Sequence, residues 1–99
     1  MTITQDIARP AAPEADDTWR ALAMATIEEL ALKRAEFSAD DVWLAGLPRP
    51  KDSRALGGIL ASAKRAGVIE DTGRIVPSVF QSGHYGPRRV WRSLVTAGA

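Results

Sequence analysis

Residues 52–70 read Asp52-Ser-Arg-Ala-Leu-Gly-Gly-Ile-Leu-Ala-Ser-Ala-Lys-Arg-Ala-Gly-Val-Ile-Glu70, and the fold turns on them. Leu56, Ile59, Leu60 and Ala63 recur at helical spacing and make one apolar stripe. Asp52 or Ser53 is placed to cap this helix, which runs to about Ala66. Gly67 comes next, a residue able to take the left-handed conformation that stops helices. Val68-Ile69-Glu70-Asp71 then changes at once to strand composition. The side of the helix away from the stripe carries Arg54, Gly58, Ala61 and Arg65 on one face, with Gly57 and Ser62 beside them. A glycine inside a helix costs about 1 kcal/mol against alanine, so the pair needs a reason. Close approach to a nucleic-acid groove is one, since arginine bonds guanine or phosphate well. Close packing of helices inside a bundle is the other.

Toward the N-terminus, Asp16 or Asp17 caps an earlier helix whose apolar positions are Trp19, Leu22, Ala23, Ile27 and Leu30. Lys33 and Arg34 fall in its last turn, where the helix dipole favours cations, and Glu29 and Lys33 form an i,i+4 pair. Phe37-Ser-Ala-Asp-Asp41 announces a short second helix, with Ser38 and Asp41 as a capping box. Val42, Trp43 and Leu44 supply its apolar content, and Gly46 stops it. Pro48 and Pro50 exclude helix over 47–51. Toward the C-terminus, Thr72-Gly73 reads as a bend and Arg74-Ile-Val76 as continued strand. Pro77 demotes the residues after it to edge or loop. Gln81-Ser-Gly-His-Tyr-Gly-Pro87 is turn-rich, and Arg89-Val-Trp-Arg-Ser-Leu94 reads as a returning strand. Alternation puts Trp91 toward the helices and Arg88 and Arg92 toward solvent or phosphate.

The expected fold is therefore α+β: a three-helix bundle followed by a β-hairpin. Residues 1–15 are expected as a flexible tail, 16–95 as the domain and 96–99 as a loose end. A hairpin after the third helix of such a unit resembles a winged helix-turn-helix domain over roughly residues 17–94. More narrowly, residues 52–70, with Gly73-Arg74 and Arg89-Val-Trp-Arg-Ser93 after them, are similar to small winged-helix proteins of bacteriophages and prophages. The connection between the second and third helices departs from the plainest helix-turn-helix, being longer and carrying two prolines. The resemblance implies a third helix seated in the DNA major groove and a hairpin wing on the flanking backbone. The DNA-contact set it implies is Lys51, Ser53, Arg54, Gly58, Ser62 and Arg65, with Arg74, Arg88, Arg89 and Arg92 on the wing. The implied role is transcriptional regulation or phage DNA replication in the cytoplasm of a bacterial host. A protein–protein interaction module on the same scaffold is the alternative.

Charge is split along the chain. Residues 1–41 hold nine acids against four bases, a net of −5, and residues 42–99 hold nine bases against three acids, a net of +6. Such a chain can turn a basic face to a polyanion although its net charge is +1. The two halves can equally neutralise each other on folding, and the wing arginines can equally serve to block strand pairing at an edge.

The remaining features mainly exclude. With 45% hydrophobic and 25% charged residues, the 99-residue chain has the composition of one globular domain. Zero cysteines exclude disulfides, thiolate metal sites and a cysteine nucleophile. His84 is the sole histidine, so metal binding and a triad built from Ser82, His84 and Asp71 lack support. Gly57-Gly58 lies inside a helix and does not start a phosphate loop. No catalytic residue, metal, cofactor or small-molecule substrate is expected. Met1-Thr-Ile-Thr-Gln-Asp6 shows no signal peptide pattern and no run is long enough to span a bilayer, so a cytoplasmic protein is expected. Trp19, Phe37 and Trp43 read as core, and Asp16, Asp17, Glu28 and Glu29 as caps and solvated face. Tyr85 reads as cover for the hairpin or a stacking surface. Dimerisation, where it occurs, is expected through the first helix or the tail.

Overall fold

Asp16 opens the first helix by direct chemistry: its carboxylate accepts the Trp19 N–H at 2.9 Å, satisfying one of the donors a helix start leaves bare. The computed structural model describes residues 14–79 and 87–96. In it α1 spans Asp17–Lys33, β1 Glu36–Phe37, α2 Ala39–Leu44, α3 Ala55–Arg65, β2 Ile69–Val76 and β3 Arg88–Ser93. The class is α+β, with three helices and a three-stranded antiparallel sheet ordered β1-β3-β2.

Helix α1 buries Trp19, Ala23, Ile27 and Ala31, a row stepping by four residues. The two alanines are fully covered, because their small side chains let a neighbouring element lie close. The expected stripe is corrected accordingly: Leu22 stays 47% exposed, and Leu30 is only partly buried. The Glu29–Lys33 pair forms at 3.0 Å. In α2 the capping box closes, with Asp41 accepting the Ser38 N–H at 2.9 Å. Val42 and Trp43 point inward while Leu44 does not.

The proline-bearing connection is extended and fixed. Trp19 donates its indole N–H to the Pro48 carbonyl at 2.7 Å, and Leu47 and Pro50 are buried. Trp19 and Trp43 lie with ring centroids 6.5 Å apart. Neither Asp52 nor Ser53 is the N-cap of α3; a tight turn over Asp52–Arg54 feeds it, with Ala55 N–H on the Asp52 carbonyl at 3.1 Å. At its far end Val68 N–H reaches Ala63 and Gly67 N–H reaches Lys64, at 3.0 and 3.1 Å, with Gly67 at φ +81°. This is the double bond pattern that closes a helix on a left-handed residue.

The sheet has one strand more than the expected hairpin. Residues 36–37, between α1 and α2, pair with Arg92 and Trp91, and the Ser93 N–H bonds the Ala35 carbonyl at 2.8 Å. Two residues are too few to show a period in sequence. Strand β2 is irregular where Thr72-Gly73 predicted a bend: pairing moves from Asp71↔Trp91 to Ile75↔Arg89, so β2 advances four residues while β3 advances two. The Thr72 hydroxyl bridges the irregularity by donating to the Val90 carbonyl at 2.9 Å. Trp91 joins the helical core as expected, and Val90 on the opposite face is buried too. The returning strand ends at Ser93, with Leu94 outside it and exposed.

Both expected loose ends are partly tied down. Ala15 packs on the core, and the Thr96 hydroxyl reaches the Ala31 and Arg34 carbonyls at 3.0 and 3.1 Å. Among the described residues, no helix is long and apolar enough to cross a membrane.

One buried carboxylate joins the helices to the sheet. The Asp40 side chain is 3% exposed, and it accepts the Val79 N–H at 2.8 Å and the Arg88 Nε at 3.0 Å. Burial alone raises its pKa; the Val79 amide, the Ser78 hydroxyl and the Arg88 guanidinium together outweigh that and hold it below the ordinary aspartate value. A lowered folded-state pKa contributes stability above the unfolded value of about 3.9, and that stability is lost as the pH falls through the folded value. Asp40→Asn is expected to cost about 2–3 kcal/mol at pH 7 by leaving charged and amide donors poorly answered. Thermal melts of both proteins from pH 7 downward should show the gap narrowing below about pH 4. A gap of constant size would refute the assignment.

Candidate nucleic-acid interface

Helix α3 buries Leu56, Ile59, Leu60 and Ala63 and so must show its other side to solvent. Gly57 and Gly58 lie there, both exposed, and a Cβ built on either meets nothing within 4 Å. The packing explanation for the glycine pair therefore falls: among the described residues, no neighbouring element approaches them. Arg54 and Arg65 stand at the two ends of this bare strip. Arg65 donates to the Ser62 hydroxyl at 3.1 Å, and that hydroxyl donates to the Gly58 carbonyl at 3.1 Å. Arg54 is tied to Asp52, whose carboxylate accepts from its Nε at 3.0 Å and its backbone N–H at 3.1 Å. The Arg54 side-chain bond is the main reason that Asp52 sits below the usual carboxylate range.

Beside the first turn of α3 is a hollow of about 630 Å³, bounded by α2 and the connection. Arg49, Lys51, Arg54 and Arg88 line it, over a floor that includes Trp43 and Leu56. The Arg49 guanidinium lies 4.6 Å from the Trp43 ring centroid. Lys51 pairs with Glu14 at 2.7 Å, which raises the lysine pKa. Ser53 is exposed at the same end.

The sheet presents a different picture. Arg74 pairs with Glu36, Arg89 with Asp71, Arg92 with Glu70 at 2.6 Å, and Arg88 with Asp40 at 3.0 Å. Four expected phosphate contacts thus meet four carboxylates. Glu36 is held below its ordinary pKa chiefly by its hydrogen bond from Arg74, and Asp71 by the Gly73 N–H and then Arg89. Arg88 departs furthest from the sequence expectation. Its side chain is only 23% exposed and turns to the buried Asp40, away from open solvent. Arg74, Arg89 and Arg92 remain more than half or about half exposed.

The sequence-predicted set is therefore divided in space. Lys51, Ser53 and Arg54 gather at the start of α3; Gly58, Ser62 and Arg65 lie further along it; Arg74, Arg88, Arg89 and Arg92 lie on the sheet. Sequence reasoning passed over Arg49, whose position between two prolines signals a residue held on a rigid extended segment. It also passed over Asp40, for which no local signal exists, because Asp40 and Asp41 look alike as first-turn acids. Gln81, Ser82, His84 and Tyr85 lie outside the described residues. Among the described residues no group of three His, Cys, Asp or Glu is placed to hold a metal ion.

No protein-family model, curated protein or solved structure matches this chain.

Proposed function

We propose that the chain is a winged helix-turn-helix protein of phage type that binds double-stranded DNA and carries out no catalysis. Its role is transcriptional regulation or phage DNA replication. The observation that carries this reading is the bare Gly57-Gly58 strip on α3, exposed, with no packing partner among the described residues, and framed by Arg54 and Arg65. A helix that gives up about 1 kcal/mol twice, on its outer face, gains from letting another surface come close to its backbone. The charge around it suits a polyanion. From Leu47 to Ala66 the chain holds Arg49, Lys51, Arg54, Lys64 and Arg65 against Asp52 alone, a local net of +4.

A protein-binding module is the second reading, favoured by a different face. Leu22 and Leu44 are 47% and 64% exposed, next to a hollow lined by Thr26, Leu30 and Ala45 between α1 and α2. A second copy docking there would fit dimerisation through α1. Sedimentation of the wild type and Leu22→Glu separates the cases: a dimer lost in the variant supports that face, and a monomer throughout removes it.

The DNA reading predicts opposite effects on stability and binding at one site. Gly58→Ala should raise stability by about 1 kcal/mol and the melting temperature by roughly 4–8 °C. Gly58→Leu should also fold, because its Cβ enters open space, yet it should weaken binding to mixed-sequence duplex DNA at least tenfold. Anisotropy titrations at low salt measure this. Absence of wild-type binding, or full affinity in Gly58→Leu, would sink the reading.

A further inference from the structure

The two arginines that frame the α3 strip are held differently. Arg54 brings the Asp52 carboxylate with it, bonded to its Nε at 3.0 Å. Any anion that Arg54 takes therefore has a carboxylate beside it. Arg65 enters none of the ion pairs among the described residues. Its guanidinium donates instead to a neutral oxygen, the Ser62 Oγ, at 3.1 Å. That hydroxyl commits its one proton to the Gly58 carbonyl at 3.1 Å, so the oxygen has only lone pairs left to offer and acts as an acceptor for Arg65. Helical side chains lean toward the N-terminus of their own helix. The relay from Gly58 through Ser62 fixes that lean for Arg65, along a row shared with Gly58 and Ala61, which carry no long side chain.

We infer that Arg65 grips a backbone phosphate of DNA and that Ser62 is its positioning residue, touching no DNA itself. This rests on the DNA reading above and names the cation that meets the backbone on the α3 face. A guanidinium whose charge is unanswered by any acid takes a phosphate oxygen in a strong, charge-assisted bond. A side chain already tied to Ser62 gives up less rotamer freedom when it binds. The approach is open, since Arg65 and Gly58 are both exposed and a Cβ built on Gly58 meets nothing within 4 Å. The sequence resemblance implied Ser62 as a direct contact. Its proton is already engaged on Gly58, and its place in the relay gives it the different task of aiming Arg65.

The test is a set of anisotropy titrations with two unrelated duplex sequences, each at several salt concentrations, and melting curves confirm that every variant folds. Arg65→Gln should reduce the slope of log affinity against log salt by about one and weaken both sequences alike. Arg65→Lys keeps the charge and should keep the slope. Ser62→Ala should weaken binding about three- to tenfold at an unchanged slope, and Ser62→Thr should restore it. In the Arg65→Gln background Ser62→Ala should cost nothing more, because the two act as one unit. Binding with an unchanged slope in Arg65→Gln, or a loss confined to one sequence, overturns the phosphate contact while leaving DNA binding intact. A lowered melting temperature in Arg65→Gln with affinity and slope kept does the same, and assigns Arg65 to the helix dipole. Equal losses from Ser62→Ala in both backgrounds overturn the positioning role. If the wild type binds neither duplex, the DNA reading fails and this assignment falls with it.

Discussion

The carboxylate of Asp40 is the constraint on which the rest of this structure depends. It sits in the first turn of a six-residue helix, too short to persist alone. It binds Val79 just past β2 and Arg88 at the start of β3. One side chain therefore closes the connection between two strands and fastens both to the helical layer. A charge taken so far from water is tolerable only because every strong donor near it is aimed at it. Strand β1, at two residues, needs the same arrangement. It exists because β3 is held where Glu36 and Phe37 can reach it. Arg34 adds a bond from the end of α1 to Asp41, 3.1 Å away.

Folding redistributes the opposed charges of the two halves of the chain. Part of the acidic half is used on the sheet, where Glu36 and Asp40 answer Arg74 and Arg88 across more than thirty residues of sequence. The basic excess that survives lies on α3 and the segment leading into it. Counting arginines along the chain points to the sheet; counting each against its neighbouring carboxylate removes much of that excess. Only the second count reflects the field that a ligand would meet.

The helices were legible in sequence because their signals are local: a cap at Asp16, a box at Ser38 and Asp41, a stop at Gly67. The strands after Gly67 were legible in composition, and Thr72-Gly73 correctly marked the irregular point of β2. The third strand was not, since two residues carry no period. Nor was the exposure of Leu22 or Leu44 decidable from spacing, because the buried row of α1 is narrowed by Ala23 and Ala31. At the candidate site, α3 and its glycines were visible from spacing. The pairing of each sheet arginine was not, because it depends on register, and the register of β2 slips at the irregularity. Asp40 was hidden for a similar reason: Val79 and Arg88 lie 39 and 48 positions away along the chain.

The junction at Gly67 has a mechanical consequence. Helix α3 ends in two backbone bonds, and β2 begins two residues after Gly67. The Leu94 N–H then bonds the Val68 carbonyl at 2.9 Å, so the far end of β3 is fastened to the same point. There is no linker over which the helix could swivel against the sheet. A surface that seats on α3 consequently receives β2 and β3 at a preset angle, as one tool with two edges. For α3, β2 and β3, association through that side would proceed as rigid-body docking, and the heat-capacity change from those elements would report the apolar area they cover.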